Sequence, residues 1–331
     1  MGGSPGMTPA RRLVVSPSGG HPRAMDFRLG SRTSALAQHH VASLISAVVT
    51  RIPREKDSLQ LRAVELASLS DEVVPVRGAA KPDPVVAAVR TALVTGEVDA
   101  IVHLMVDLPH EKPQDIDLVA VIPQAEPRLA LVSPHGSLEE LSVKSRVATR
   151  TLAECAQVRF LRPDLTVTVV RGSLAGRLRA VREGEWDALV APYAHVEALG
   201  RSADVRQVFS VEDMVPTPGG ECLAIEMWKE AAEDSRVLMN ALDDQEARAC
   251  AQAERTVVRM LREHPGAAIA ARAQVEGDYL SLHVRATSAD GSLQLNDFSR
   301  GYAREAEALG ATAAHALLGR GVSTFAHPFP E

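Results

Sequence analysis

Along residues 26–226 the apolar positions switch repeatedly between two rhythms. Residues 26–30 and 58–66 follow the period of two expected of strands, while 34–49 follows a polar cap at helical spacing. Residues 82–94 read as a helix with proline near its first turn. The stretch 98–104 is almost unbroken apolar, which predicts a strand buried on both faces. Beyond it the same patterns predict strands at 128–132, 146–148, 166–170 and 187–191, and helices at 152–161 and 173–182. A Pro/Gly hinge, Val215-Pro216-Thr217-Pro218-Gly219-Gly220, precedes a further strand at 222–227 that reads as a return crossing. Such β-α-β alternation predicts α/β layers.

The last ninety residues differ. A long amphipathic helix, 245–263, is followed by alternating strands broken at Glu276-Gly277-Asp278 and Ala289-Asp290-Gly291, both hairpin signals. A closing helix at 304–318 ends at Gly319. The expected fold class is therefore α/β with three domains: two α/β lobes arranged like those of bilobal periplasmic binding proteins, and a small α+β C-terminal domain. The expected division is 25–123 with 216–235 for lobe 1, 124–215 for lobe 2, and 236–331 for the C-terminal domain. Residues 1–24, rich in Gly, Pro, Ser and Arg, read as a disordered extension without the apolar core of a secretory signal.

Composition narrows the function. The chain has 331 residues, 46% hydrophobic and 24% charged, and a formal net charge of −6. That charge, with an aromatic share of 3%, argues against nucleic acid as a partner. No apolar run reaches the roughly 18 residues needed to span a bilayer, so no membrane partner is expected. Cys155, Cys222 and Cys250 are the only cysteines; they are far apart and without metal-ligand spacing, which fits a reducing cytoplasm and predicts no metal.

Several segments together resemble the porphobilinogen deaminase (hydroxymethylbilane synthase) family, which joins four pyrroles into a linear tetrapyrrole. They are Arg28-Leu29-Gly30-Ser31-Arg32-Thr33-Ser34, the strand end His103-Leu104-Met105-Val106-Asp107, and Arg171-Gly172-Ser173-Leu174-Ala175-Gly176-Arg177 with Trp186-Asp187-Ala188 after it. Ala253-Glu254-Arg255 in the long helix completes the set. The resemblance implies a monomer acting on a small carboxylated pyrrole. It implies that Asp107 is the carboxylate that assists ammonia loss and stabilises the resulting cation. It also implies that Arg32, Ser34, Arg171 and Arg177 hold acetate and propionate side chains, for which the planar guanidinium fork is well suited; Ser173, at a strand-to-helix start whose free amides favour an anion, and Thr149 and Thr151, at another strand end, are further candidates for ligand contacts.

The departures from the family pattern cluster in the same cleft. The family's lysine beside the aspartate is Val106, its adjacent arginines are Ala153 and Glu154, and an expected acidic residue is Leu129. The glycine-rich lid is altered around Gly78-Ala79-Ala80-Lys81. The family anchors a dipyrromethane primer through a cysteine; here that place is Pro265 or within a residue of it. Each lost charge-assisted bond costs about 1.5–3 kcal/mol, and Glu154 is expected to repel an anion further. These departures lead to the expectation of no dipyrromethane cofactor and of an enzyme that deaminates or condenses pyrroles without a tethered primer. A non-catalytic small-anion binding protein ranks second, and the authentic synthase third.

Overall fold

The computed structural model describes residues 25–51, 59–66, 74–75, 84–110, 113–123, 126–220 and 222–325. The N-terminal extension and the altered lid at Gly78–Lys81 lie outside them. Strand β1 (Met25–Arg32) leads into helix α1 (Ala35–Arg51) and the parallel strand β2 (Leu59–Leu66). The short β3 (Val74–Pro75) leaves this sheet and joins the second one. Helix α2 (Pro84–Val94), β4 (Ala100–Leu104) and β5 (Ile116–Pro123) complete the first unit in sequence.

The second unit runs β6 (Leu129–Val132), β7 (Arg146–Thr149), α3 (Leu152–Leu161), β8 (Thr166–Arg171), α4 (Leu174–Arg182), β9 (Ala188–Pro192), α5 (Tyr193–Ala198) and β10 (Val205–Val208). Then β11 (Cys222–Trp228) returns to the first sheet. It inserts antiparallel between β4 and β5, giving the order β2-β1-β4-β11-β5. Six of its seven residues are buried, as a central strand covered on both faces requires. The second sheet has the order β10-β6-β9-β7-β8-β3.

Helices α6 (Glu233–Asn240) and α7 (Gln245–Leu261) lead to a three-stranded antiparallel meander, β12 (Ala267–Glu276), β13 (Tyr279–Ser288) and β14 (Gln294–Tyr302), closed by α8 (Ala306–Gly319). Helix α7 begins where Asp244 accepts a bond from the amide of Ala247. It crosses α8 closely: a Cβ on Gly310 would lie 2.4 Å from the Ala253 carbonyl oxygen, so only glycine fits there. Both lobes and the third unit have their own buried apolar clusters. No helix among the described residues is long and apolar enough to cross a membrane.

Glu254 ties three parts together. This carboxylate, buried in α7, accepts from the amide of Gly219 in the hinge and from that of Ala273 in β12, both at 2.7 Å. Gly219 has φ +73°, and the Met105 side chain lies 3.0 Å from where a Cβ would stand. Glycine is therefore needed both for the turn and for the close approach.

Candidate active site

A single turn of 3-10 helix, Met105–Asp107, follows β4 and carries Asp107 to the seam between the lobes. The turn is clamped from behind by Arg255 of α7. Its Nη1 donates to the carbonyls of Met105 (3.0 Å) and Leu108 (3.1 Å), and its Nη2 to that of Pro109 (2.6 Å). Asp107 thus has a fixed position before any ligand is considered. Its carboxylate receives a guanidinium N–H from Arg150, which stands at the end of β7 in the second lobe. Arg32 of the first lobe lies 3.4 Å from its other oxygen. Two cations from opposite lobes therefore converge on one carboxylate.

A cavity of about 90 Å³ lies at this seam, lined by Arg32, Ser34, Asp107, Arg150, Ser173 and Arg177 with His40 and His195. Ser34 and Ser173 stand at helix starts, where their hydroxyls accept from the amides of Ala37 (3.4 Å) and Gly176 (3.0 Å). Arg177 is 5% exposed, and its Nε and Nη1 have no hydrogen-bond partner among the described residues. Burial and the neighbouring Arg150 bring its guanidinium down to about 10, with Glu154 and Asp107 opposing. A desolvated cation with open donors is a site prepared for an anion.

Across the seam, His40 of α1 and His195 of α5 stand edge to face, with ring centroids 5.5 Å apart. Burial, helped by His39, lowers His40 to about 4; burial, His40 and the two nearby arginines push His195 well below its ordinary value. Both imidazoles are therefore neutral at pH 7.

The structure brings together Arg32, Ser34, Asp107, Ser173 and Arg177. It does not bring Thr149, Thr151 or Arg171 into this cavity. Thr149 is fully buried, with its hydroxyl within 3.4 Å of the carbonyls of Thr151 and Thr168. Thr151 caps α3 and shares a 2.9 Å hydroxyl contact with Thr217 in an adjoining recess. Arg171 ends β8, opposite Val74.

Glu154 corrects a sequence-based expectation. It is buried rather than presented as an open charge. Its carboxylate folds back to the amides of Arg150 and Thr151, completing a capping box with Thr151, and burial pushes its carboxyl up. Arg150, passed over in the sequence, supplies a guanidinium where the family's adjacent arginines are replaced. Cys155 and Cys222 are buried and line no part of the cavity; burial raises the Cys155 thiol to about 11.

Residues 27–236 match the family model described as "Porphobilinogen deaminase, dipyromethane cofactor binding domain". The porphobilinogen deaminase of Bordetella parapertussis is 35% identical over 232 residues, covering 70% of this chain and 74% of its own. That of Acidothermus cellulolyticus is 31% identical over 301 residues, 89% of each chain. That of Moorella thermoacetica is 31% identical over 302 residues, covering 90% of this chain and 94% of its own. Among solved structures, a putative methionine-binding lipoprotein from Bacillus subtilis matches with a TM-score of 0.41 and 11% identity, covering 67% of this chain and 92% of that one.

These findings correct the expectation that no dipyrromethane belongs to this protein, because the matched domain is the one that binds it in the family. The residues present fit the acidic side chains of such a group, since Arg177 offers two open, buried donors beside Ser173. The segment Arg262-Glu263-His264-Pro265-Gly266 lies outside the matched range. By the family model and by full-length similarity to its members, this chain belongs to the porphobilinogen deaminase family.

Proposed function

We propose that this protein is a transferase of the hydroxymethylbilane synthase type, which deaminates porphobilinogen and links the pyrrole units, with a dipyrromethane held through its carboxylates by Arg177, Ser173 and Arg32. The observation that carries this reading is the position of Asp107 at the seam, beside a buried guanidinium with unused donors. The relatives named porphobilinogen deaminase support it over a pure binding role.

The chemistry required of the chain is limited. When the protonated aminomethyl group of the substrate leaves as ammonia, the bonding electrons depart with nitrogen and the pyrrole becomes an azafulvenium-type cation. A carboxylate fixed beside the ring stabilises that cation, a contribution worth about 10²–10³ in rate for one well-placed group. Arg255 removes the need for Asp107 to reorganise, since it holds the turn by three backbone carbonyls. A bound dipyrromethane supplies the acceptor pyrrole to which new units are added.

The cavity of about 90 Å³ is smaller than the roughly 300–1,000 Å³ usual for ligand pockets, so a two-ring ligand requires the lobes to part. Ligand carboxylates then replace Asp107 as the partners of Arg150 and Arg32. The test is intact-mass measurement of purified protein under native and denaturing conditions, followed by incubation with porphobilinogen. The expected result is added dipyrromethane mass in the native spectrum, with ammonia release and porphyrin after oxidation. The denaturing spectrum reads whether the group is covalently attached. Absence of the added mass together with absence of both products would rule the proposal out.

A further inference from the structure

A second and larger cavity, about 650 Å³, lies between the first lobe and α7, within the size range of small-molecule sites. It shares a wall with the cleft. Met105, Leu108, Pro109 and His110 line this cavity, while Asp107 of the same turn and Leu104 just before it line the other.

Among the described residues, the charges lining it do not cancel. Glu226, Asp117 and Asp243 are each bound by an arginine, Arg90, Arg236 and Arg248, at 2.6–2.8 Å. Glu307 lies 4.0 Å from Arg259. Among the described residues Arg255 bonds backbone carbonyls and forms no ion pair within 4 Å; burial lowers its guanidinium, with the Glu226 carboxylate opposing. His110 is brought down to about 4 by burial and by Arg255, Arg259 and Arg262. The remaining wall is apolar, formed by such residues as Leu108, Ile116, Leu118 and Val121. A surplus of partly desolvated positive charge beside an apolar wall is complementary to an anion with an apolar body.

We propose that this cavity binds a small organic anion with an apolar body, held by Arg255, Arg259 and His110, and that its occupancy is felt at Asp107 through the shared turn. The coupling has a structural route: an anion reaching Arg255 competes for the donors that hold the carbonyls of Met105, Leu108 and Pro109. Effector and turn then influence each other reciprocally. The inference does not depend on what the cleft turns over.

The probe is 8-anilinonaphthalene-1-sulfonate, titrated by fluorescence into the full chain. Arg259 and Gln252 are exposed residues of the cavity lining, so Arg259→Glu and Gln252→Trp alter its charge and its mouth without disturbing the core. One saturable site is expected, weakened at least tenfold by either substitution and unchanged by Arg177→Gln in the cleft. Circular dichroism confirms that each variant is folded. Hydrogen exchange over residues 104–110 reads the coupling without turnover, and because the anion competes for the Arg255 donors the probe should speed it at least twofold in the wild type but not in Arg259→Glu. No saturable binding, binding indifferent to both cavity variants, binding lost in Arg177→Gln, or unchanged exchange in the wild type would overturn the proposal.

Discussion

The lobe seam and the junction around α7 are both held by buried charge, but they use it differently. At the seam, side chain meets side chain: the Asp107 carboxylate is shared by Arg150 and Arg32, and His40 faces His195. At the junction, side chain meets backbone. Glu254 holds the Gly219 and Ala273 amides, Arg255 holds three carbonyls of the 105–109 turn, and Arg285 holds the carbonyls of Glu212 and Asp213. A ligand carboxylate can take the place of a protein carboxylate. The seam is thus built to open and re-form, while the junction keeps the turn bearing Asp107 in register.

The largest effect should come from breaking the junction. Glu254→Gln removes one charge from two 2.7 Å bonds, and with charge-assisted bonds worth about 1.5–3 kcal/mol each, a loss of roughly 3 kcal/mol is expected in chemical denaturation. A comparably large loss from a seam variant would invert the comparison.

Arg177→Gln tests the seam in the opposite sense. The open donors of Arg177 satisfy nothing in the unliganded protein, so stability should hold or rise by about 1 kcal/mol. Binding of the carboxylated substrate should weaken about 10–100-fold, read as a rise in KM. Lost stability with unchanged KM would make this arginine structural.

The smallest expected effect concerns pH. His40 has a folded value of about 4, below the unfolded value near 6.5, so the unfolded chain binds more protons between them. Its contribution to stability is complete above about pH 6.5 and is lost as pH falls through about 4. Stability should fall over that window, and the fall should be absent in His40→Gln, which does not titrate. An unchanged slope in the variant would move the acid sensitivity elsewhere; His110, also near 4, lines the second cavity instead.

Much of this was legible in the sequence where chemistry and local pattern coincide. The strand running into Asp107, the Ser173 start of α4 and the Arg32-Thr33-Ser34 run at the start of α1 are local features, and the fold carries them to one cavity. Arg150, His40 and His195 carry no such signal. Their partners lie far away in sequence, at Asp107 or across the seam, and only lobe packing joins them. Glu154 was misread although its local signal was present: Thr151 with Glu three positions later is a capping box, and that local bond outweighs any role in the cleft. Strand β5 shows the same lesson in the fold. Its apolar run, Ile116-Asp117-Leu118-Val119-Ala120-Val121-Ile122, sits beside β11, which arrives about a hundred residues later. Length alone could not assign that partner.

The most direct test of the central claim is ammonia release from porphobilinogen by the wild type and by Asp107→Ala, measured with thermal unfolding of both. The account predicts release at least about 10²-fold slower in the variant, which keeps a cooperative unfolding transition, because Arg255 holds the turn through backbone carbonyls that the substitution leaves in place. Equal rates in the two proteins would contradict it.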